Sequence, residues 1–308
     1  MTRWGATMGI HRVTVGVDGS PGSRAALDWA VERSRHTGMT LELIAVVPDG
    51  RSDSEFAATE RRYSEATLAE WTAAVKAAAP RLAVAPVLRT GSPTAELVRA
   101  SEETDLLVVG TDKSSKARRL VYGTVPLRLA ALSACPLVVV PRSWRPGPES
   151  VILAVGEEEN HPSTVAFATA EAEARGLPLD LVHVWTPATN YPTPIYLTDY
   201  PWERVQEEGR RVLHDALEEV AESHPGLLVT TRLEEGPTIP RLVEAAERAQ
   251  LLVVGRGGRG IFREILQLGS VAHDVLLNPP APVAIVPAER KPVLGHAQGR
   301  HPTSTLAG

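Results

Sequence analysis

The chain has 308 residues, 43% of them hydrophobic and 22% charged, which is globular composition with room for two ordinary domains and not that of a disordered chain. A net charge of −5 and a pI of about 6.0 exclude a whole-molecule basic field that would recruit nucleic acid or an acidic membrane. The single cysteine excludes an intrachain disulfide and a four-cysteine zinc site, and no run approaches the ~18 apolar residues of a membrane span.

Residues 13–17 (VTVGV) are a short β-branched run before Asp18-Gly19-Ser20 and predict a buried strand. Ser20 is placed to cap a helix with Pro21 at its first position. Leu27, Ala30, Val31 and Ser34 then follow at helical spacing, and Gly38 is expected to end that helix. Residues 41–47 predict the second strand, and a long polar segment leads to a helix carrying Leu68, Trp71 and Val75. Residues 84–88 predict a third strand, Leu97 and Val98 lie on the next helix, and residues 106–109 and 137–140 predict the fourth and fifth strands. Beyond a Pro- and Gly-containing stretch, residues 142–150, the order restarts with residues 151–155. Its clearest helices carry Leu213, Ala216, Leu217 and Val220, and Ile239, Leu242, Val243 and Ala246.

The restart is a duplication. DLLVVG at 105–110 recurs as QLLVVG at 250–255, Gly123-Thr124 as Gly269-Ser270, and PLVVVP at 136–141 as PVAIVP at 282–287. Gly91-Ser92-Pro93 matches Gly236-Pro237, and residues 13–17 match 151–155. Five features in one order and at nearly constant spacing define two units of roughly 140 residues, far longer than a solenoid repeat. The expected division is 8–142 and 149–288, with a linker at 143–148 and a loose polar tail at 289–308. Strands alternating with helices need crossover connections, so each unit should be an α/β domain with a five-stranded parallel sheet and helices on both faces. Ligands of such sheets bind beyond the carboxyl ends of the strands, where the strand order reverses.

Residues 15–20 (VGVDGS), Gly91-Ser92-Pro93, DLLVVG and the later glycine-hydroxyl pair together resemble the universal stress protein family, over almost the whole chain. The resemblance implies two tandem flavodoxin-like (Rossmann-like) domains of the kind common in actinobacteria, paired through their last strands. It also implies ATP held with adenine near strands one and two, and phosphates on a loop of pattern Gly-x2-Gly-x9-Gly-(Ser/Thr). The chemistry is independent of the name. Glycines let backbone approach a phosphate, and a helix opening on Gly-Ser or Gly-Thr offers unpaired N–H groups and a hydroxyl to an anion.

The resemblance implies a first site from Val17, Asp18, Val46, Gly110, Lys113, Gly123 and Thr124. Here Lys113 replaces the second glycine, and it either contacts a phosphate or fills the groove. The implied second site has Gly156, Val184, Gly255, Gly258, Gly269 and Ser270, with ten residues instead of nine between Gly258 and Gly269. It lacks the strand-one aspartate, since Gly156 and then Glu157, Glu158 and Glu159 follow Val155. Arg256 and Arg259 favour an anion, and Gly255→Val is expected to abolish binding there with the fold intact.

Cys135 reads as a small buried residue rather than a nucleophile. His161, His183, His214, His224 and His273 lack metal-ligand spacing. The aromatic and proline-rich stretch 191–202 reads as a lid, a partner surface or a packed loop, and the basic run 113–119 as a solvated helix end. The opening MTRWGATMGIHRV lacks the apolar core of a secretory leader. The expectation is therefore a cytoplasmic stress protein that binds ATP, with or without Mg2+, and signals to a regulatory protein partner. A homodimer is expected, with neither nucleic acid nor membrane as partner and no dedicated catalytic reaction. A nucleotide-free interaction protein and a slow ATPase using the same pocket are the alternatives.

Overall fold

The computed structural model describes residues 11–49, 55–112, 124–156, 162–186, 202–257 and 268–288. In the first unit β1 (Arg12–Gly16), α1 (Pro21–Ser34), β2 (Thr40–Val47), α2 (Glu55–Ala78), β3 (Ala83–Thr90), α3 (Pro93–Glu103), β4 (Leu106–Thr111), α4 (Thr124–Leu132) and β5 (Leu137–Pro141) alternate strand and helix. The second unit repeats the order with β6 (Val151–Ala154), α5 (Pro162–Arg175), β7 (Leu179–Trp185), α6 (Trp202–Ser223), β8 (Val229–Glu235), α7 (Thr238–Ala246), β9 (Leu251–Gly255), α8 (Ser270–Leu277) and β10 (Val283–Val286).

The strands form one ten-stranded sheet in the order β3-β2-β1-β4-β5-β10-β9-β6-β7-β8. Every neighbouring pair is parallel except β5 and β10, which run antiparallel with Val138 opposite Ala284. The two last strands therefore pair with each other, so neither leaves an open edge at the centre. The central strands read as continuous apolar runs because helices cover both their faces. Leu27, Trp29, Leu68, Trp71 and Val75 from α1 and α2 share one core with Phe167, Leu213 and Val220 from α5 and α6. Leu97, Leu129, Leu242, Ala272 and Val275 from α3, α4, α7 and α8 build the core on the other face.

Ser20 caps α1 as its sequence predicts, accepting the Ser23 N–H on Oγ at 3.1 Å, with Pro21 behind it. The helix ends at Ser34, short of Gly38. Arg35 and His36 turn back onto the carbonyls of Glu32 and Arg33, and the Thr37 hydroxyl also donates to Arg33 O, so the carbonyls are satisfied without a glycine. The buried stripe of α1 is broader than the expected one and includes Trp29 and Arg33. Arg33 crosses to the second unit. Its Nη2 and Nε hold Glu171 of α5 at 2.7 and 2.9 Å, with both side chains almost wholly buried. Arg175, one turn further on, lies over the Trp29 ring, and burial lowers its pKa while the Glu171 carboxylate opposes that shift. The segment between the units is also anchored: Trp144 is buried in the α1/α5 core, and Gln250 Nε2 donates to Glu149 at 3.1 Å.

Candidate functional site at the carboxyl ends of the strands

The strand order reverses between β1 and β4 and again between β6 and β9. A doubly wound sheet opens a crevice beyond the strand ends at such points. Val17, Val46, Gly110, Gly156, Val184 and Gly255 stand at or just past the carboxyl ends of the strands around these reversals.

In the first unit, Val17 continues past β1 and donates its N–H to Ile44 O at 2.8 Å. Asp18 then stands exposed at the rim. Its Oδ1 accepts the Ser20 N–H at 2.9 Å, and its own N–H donates to Ser23 Oγ at 3.3 Å. This fixes the exposed carboxylate by a local turn. Gly19 has φ +78°, so the turn favours glycine, and the exposed Tyr63 hydroxyl of α2 lies against it. Val46 is half-buried on β2, packed toward the α3/α4 face. Gly110 ends the apolar run of β4, but its role is packing. A Cβ there would overlap the backbone of Gly22 and Ser23 in the first turn of α1. Just beyond, Asp112 holds a buried Oδ1 without a hydrogen-bond partner among the described residues. Thr124 opens α4. Lys113 and Gly123 lie outside the described residues, as does the basic run 113–119.

The second unit has the same frame with different contacts. Val155 donates its N–H to Val182 O at 2.8 Å, matching Val17. Gly156 is exposed where the first unit has Asp18, and a Cβ on it would meet nothing within 4 Å. Val184 is half-buried at the position of Val46. Gly255 is freer than Gly110, because the nearest atom to its missing Cβ is Thr164 Oγ1 of α5 at 3.5 Å. That direction points at the helix and not into the crevice, so Gly255→Val probes packing against α5 rather than ligand access, unlike the expectation above. Gly258, Arg259 and Glu157–Glu159 lie outside the described residues.

The glycine-hydroxyl pair gives the clearest anion geometry. Gly269 is buried, with φ −66° and ψ 155°, and caps α8 with no side-chain bond to the helix end. Its carbonyl accepts the His273 N–H at 2.9 Å, the first bond of the helix. The N–H groups of Ser270, Val271 and Ala272 precede that bond and have no intrahelical acceptor. Ser270 adds an exposed hydroxyl at the same end. The Gly269 N–H donates to Arg256 O at 3.0 Å, and the Arg256 N–H donates to Val286 O at 2.8 Å, so the helix start is tied to the ends of β9 and β10. The Arg256 side chain was expected to favour an anion. Its Nη1 instead donates to Ser133 O at 2.7 Å and Ala131 O at 3.3 Å at the end of α4 in the first unit.

At the outer strands the two units differ in charge. Gly91 and Gly236, both with positive φ, turn the chain after β3 and β8 and donate to Val47 O and Trp185 O. Glu96 packs over Gly91 and is held by Arg99, with Arg89 at 3.8 Å. The Arg99 hydrogen bond, with the charges of Arg99 and Arg89, holds the Glu96 carboxyl below the usual glutamate value. Arg241 takes the corresponding place over Gly236.

Other sequence candidates have structural roles. Cys135 is buried, with Sγ near Ser133 Oγ and Pro136 O. His224 pairs with Glu173 at 2.8 Å, His214 lies 3.2 Å from Glu218, and His273 lies 2.8 Å from Asp274. His183 is buried with Nδ1 2.8 Å from Val155 O, and Gly209 of α6 leaves room for its ring. His161 and the stretch 191–201 lie outside the described residues. No helix among those described is long and apolar enough to cross a membrane.

The profile of the Universal stress protein family matches this chain twice, at residues 9–141 and 148–287. A universal stress protein of Mycolicibacterium smegmatis is 30% identical over 289 residues, covering 90% of this chain and 97% of that protein. One from Mycobacterium tuberculosis H37Rv is 27% identical over 307 residues, covering 92% and 96%. Among solved structures, a universal stress protein from Archaeoglobus fulgidus superposes with a TM-score of 0.68 at 18% identity, covering 90% of this chain and 98% of that one.

Proposed function

The chain belongs to the universal stress protein family as a tandem two-domain member, and on that premise we propose that it binds an adenine nucleotide, ATP with or without Mg2+, at the carboxyl end of the second unit's sheet. The observation that carries this reading is the start of α8, which has no side-chain cap among the described residues. Three backbone N–H groups and the Ser270 hydroxyl stand at a strand-order reversal, held in place by the Gly269–Arg256 bond. A helix start of this kind favours a phosphate through its donors and its dipole. Val184 and Gly156 border the place for the base and ribose, and Gly156 leaves the approach open.

The first unit supports a phosphate less. Two acidic residues, Asp18 and Asp112, stand near its crevice, and the Gly110 backbone is covered by α1. In this reading the bound nucleotide biases the surface around the second crevice between two states, and a regulatory protein in the cytoplasm reads the difference. That requires the nucleotide to have unequal affinity for the two states.

The test uses the intact chain and Ser270→Glu. A carboxylate at the first position of α8 favours the helix but repels a phosphate. Titration with Mg-ATP should show binding in the parent chain and at least a tenfold loss in the variant, without a fall in melting temperature. Equal affinity in the two proteins would remove the phosphate from α8. A chain that takes up no ATP, AMP or cyclic AMP would favour the nucleotide-free interaction reading.

A further inference from the structure

We propose that Arg256 mechanically couples the two carboxyl-end crevices, so that the state of the second unit's phosphate position is transmitted along α4 to the first. The role of those positions as phosphate sites rests on the function proposed above, but the mechanical link does not.

The geometry follows from the antiparallel seam. Because β5 and β10 run in opposite directions, the carboxyl ends of β6–β10 lie at the sheet edge where β1–β5 begin. The helix α4 starts at Thr124, at the first unit's crevice, and returns to that far edge at Leu132. Nine residues of α-helix carry it about 13 Å. There the carbonyls of Ala131 and Ser133 receive Nη1 of Arg256, a cation at the negative end of the helix dipole. The backbone of the same arginine accepts the Gly269 N–H on its carbonyl and donates to Val286 O. One residue therefore fixes the start of α8 with its main chain and the end of α4 with its side chain.

The link is one-sided. The position of Arg256 in the duplicated pattern is held in the first unit by Thr111, whose short side chain cannot reach the end of α8. A rigid helix with a charged hydrogen bond at one end and a candidate ligand position at the other is a contiguous element that both positions can bias. Arg256 is a positioning residue in this scheme: its side chain acts on the ligand positions through α4.

Amide hydrogen exchange on the full chain tests this with Arg256→Gln and Arg256→Lys. Without nucleotide, Arg256→Gln should speed exchange at least about tenfold in the last turn of α4, the loss expected for one charge-assisted hydrogen bond. Arg256→Lys, which keeps a donor and the charge, should restore much of the protection. Unchanged exchange in α4 in Arg256→Gln would overturn the link whether or not the chain binds nucleotide. At saturating Mg-ATP, protection of residues 268–277 in the parent chain should be accompanied by slower exchange in α4, and that response should vanish in Arg256→Gln. Protection of residues 268–277 with no response in α4 of the parent chain would overturn the coupling while leaving the binding site standing. Failure to bind any nucleotide would instead remove the function proposed above and leave the first comparison decisive.

Discussion

Gly22 in the first turn of α1 and Gly110 at the end of β4 meet backbone to backbone: a Cβ on Gly22 would stand 2.9 Å from the Thr111 carbonyl carbon, and one on Gly110 would overlap Gly22 itself. The counterparts in the second unit, Ser163 and Gly255, keep a wider spacing, filled by Thr164 of α5.

Gly110→Ala should therefore cost about 3 kcal/mol, the upper range for forcing a methyl into packed structure. Gly255→Ala, whose new Cβ makes ordinary contact at 3.5 Å, should cost less than about 1 kcal/mol. Urea unfolding of the two variants checks the difference, and equal losses would show that the glycine pair in the first unit relaxes easily. For the same reason a Gly110 substitution is a poor probe of ligand binding, and Asp18→Asn, which keeps an oxygen for the Ser20 N–H, is the cleaner one.

The carboxylate of Glu171 serves a buried arginine from each unit. Glu171→Gln removes the carboxylate that pairs with Arg33 and offsets the burial of Arg175, so a loss of about 3–5 kcal/mol is expected. Replacing Arg33, Glu171 and Arg175 together by methionine should recover most of that, because the cost comes from uncompensated buried charge. A triple variant as unstable as the single one would assign the effect to packing instead.

Glu96 gives an acid limb to stability. The Arg99 hydrogen bond first, with the charges of Arg99 and Arg89, holds its carboxyl below the usual glutamate value in the folded chain. The folded state therefore favours the charged form. The resulting stabilisation is complete above the unfolded value and is lost as pH falls through the lowered folded value. Denaturation midpoints of the parent and Glu96→Gln should differ at neutral pH in favour of the parent and converge as pH falls through the lowered folded value. A gap that persists undiminished at low pH would place the contribution outside this ion pair.

Nucleotide should stabilise the chain by mass action. At a free ATP concentration about 100 times the dissociation constant, the gain is about 2.7 kcal/mol for one site. The shift in melting temperature should be full in the parent and fall to about half of it or less in Ser270→Glu, since a tenfold loss of affinity leaves about 1.4 kcal/mol at the same concentration. A shift of equal size in both would move the site away from α8.

The sequence carried the strands and the duplication well. Runs such as LLVVG are buried on both faces, so they read as uninterrupted apolar stretches wherever they occur. The start of α1 was also legible, because Ser20 and Pro21 act locally. The seam was not. Arg33 looks like a surface charge at the end of a helix until α5, 138 residues later, brings Glu171 to it. The site divided in the same way. The glycine pattern located both crevices, but a glycine near a phosphate and a glycine under a helix look identical in sequence, and only the approach of Gly22 separates them. Arg256 invited an electrostatic reading for the same reason, since nothing near it in sequence shows the carbonyls of Ala131 and Ser133.

The antiparallel join of β5 to β10 also sets the valency of the molecule. Its two crevices open on opposite sides of a single sheet, facing away from each other. Ligands of the two crevices, were both occupied, would therefore meet the chain separately and not as one shared visitor. Avidity of the kind gained by tethered binding modules is available to it only when a long or multimeric partner wraps around the sheet.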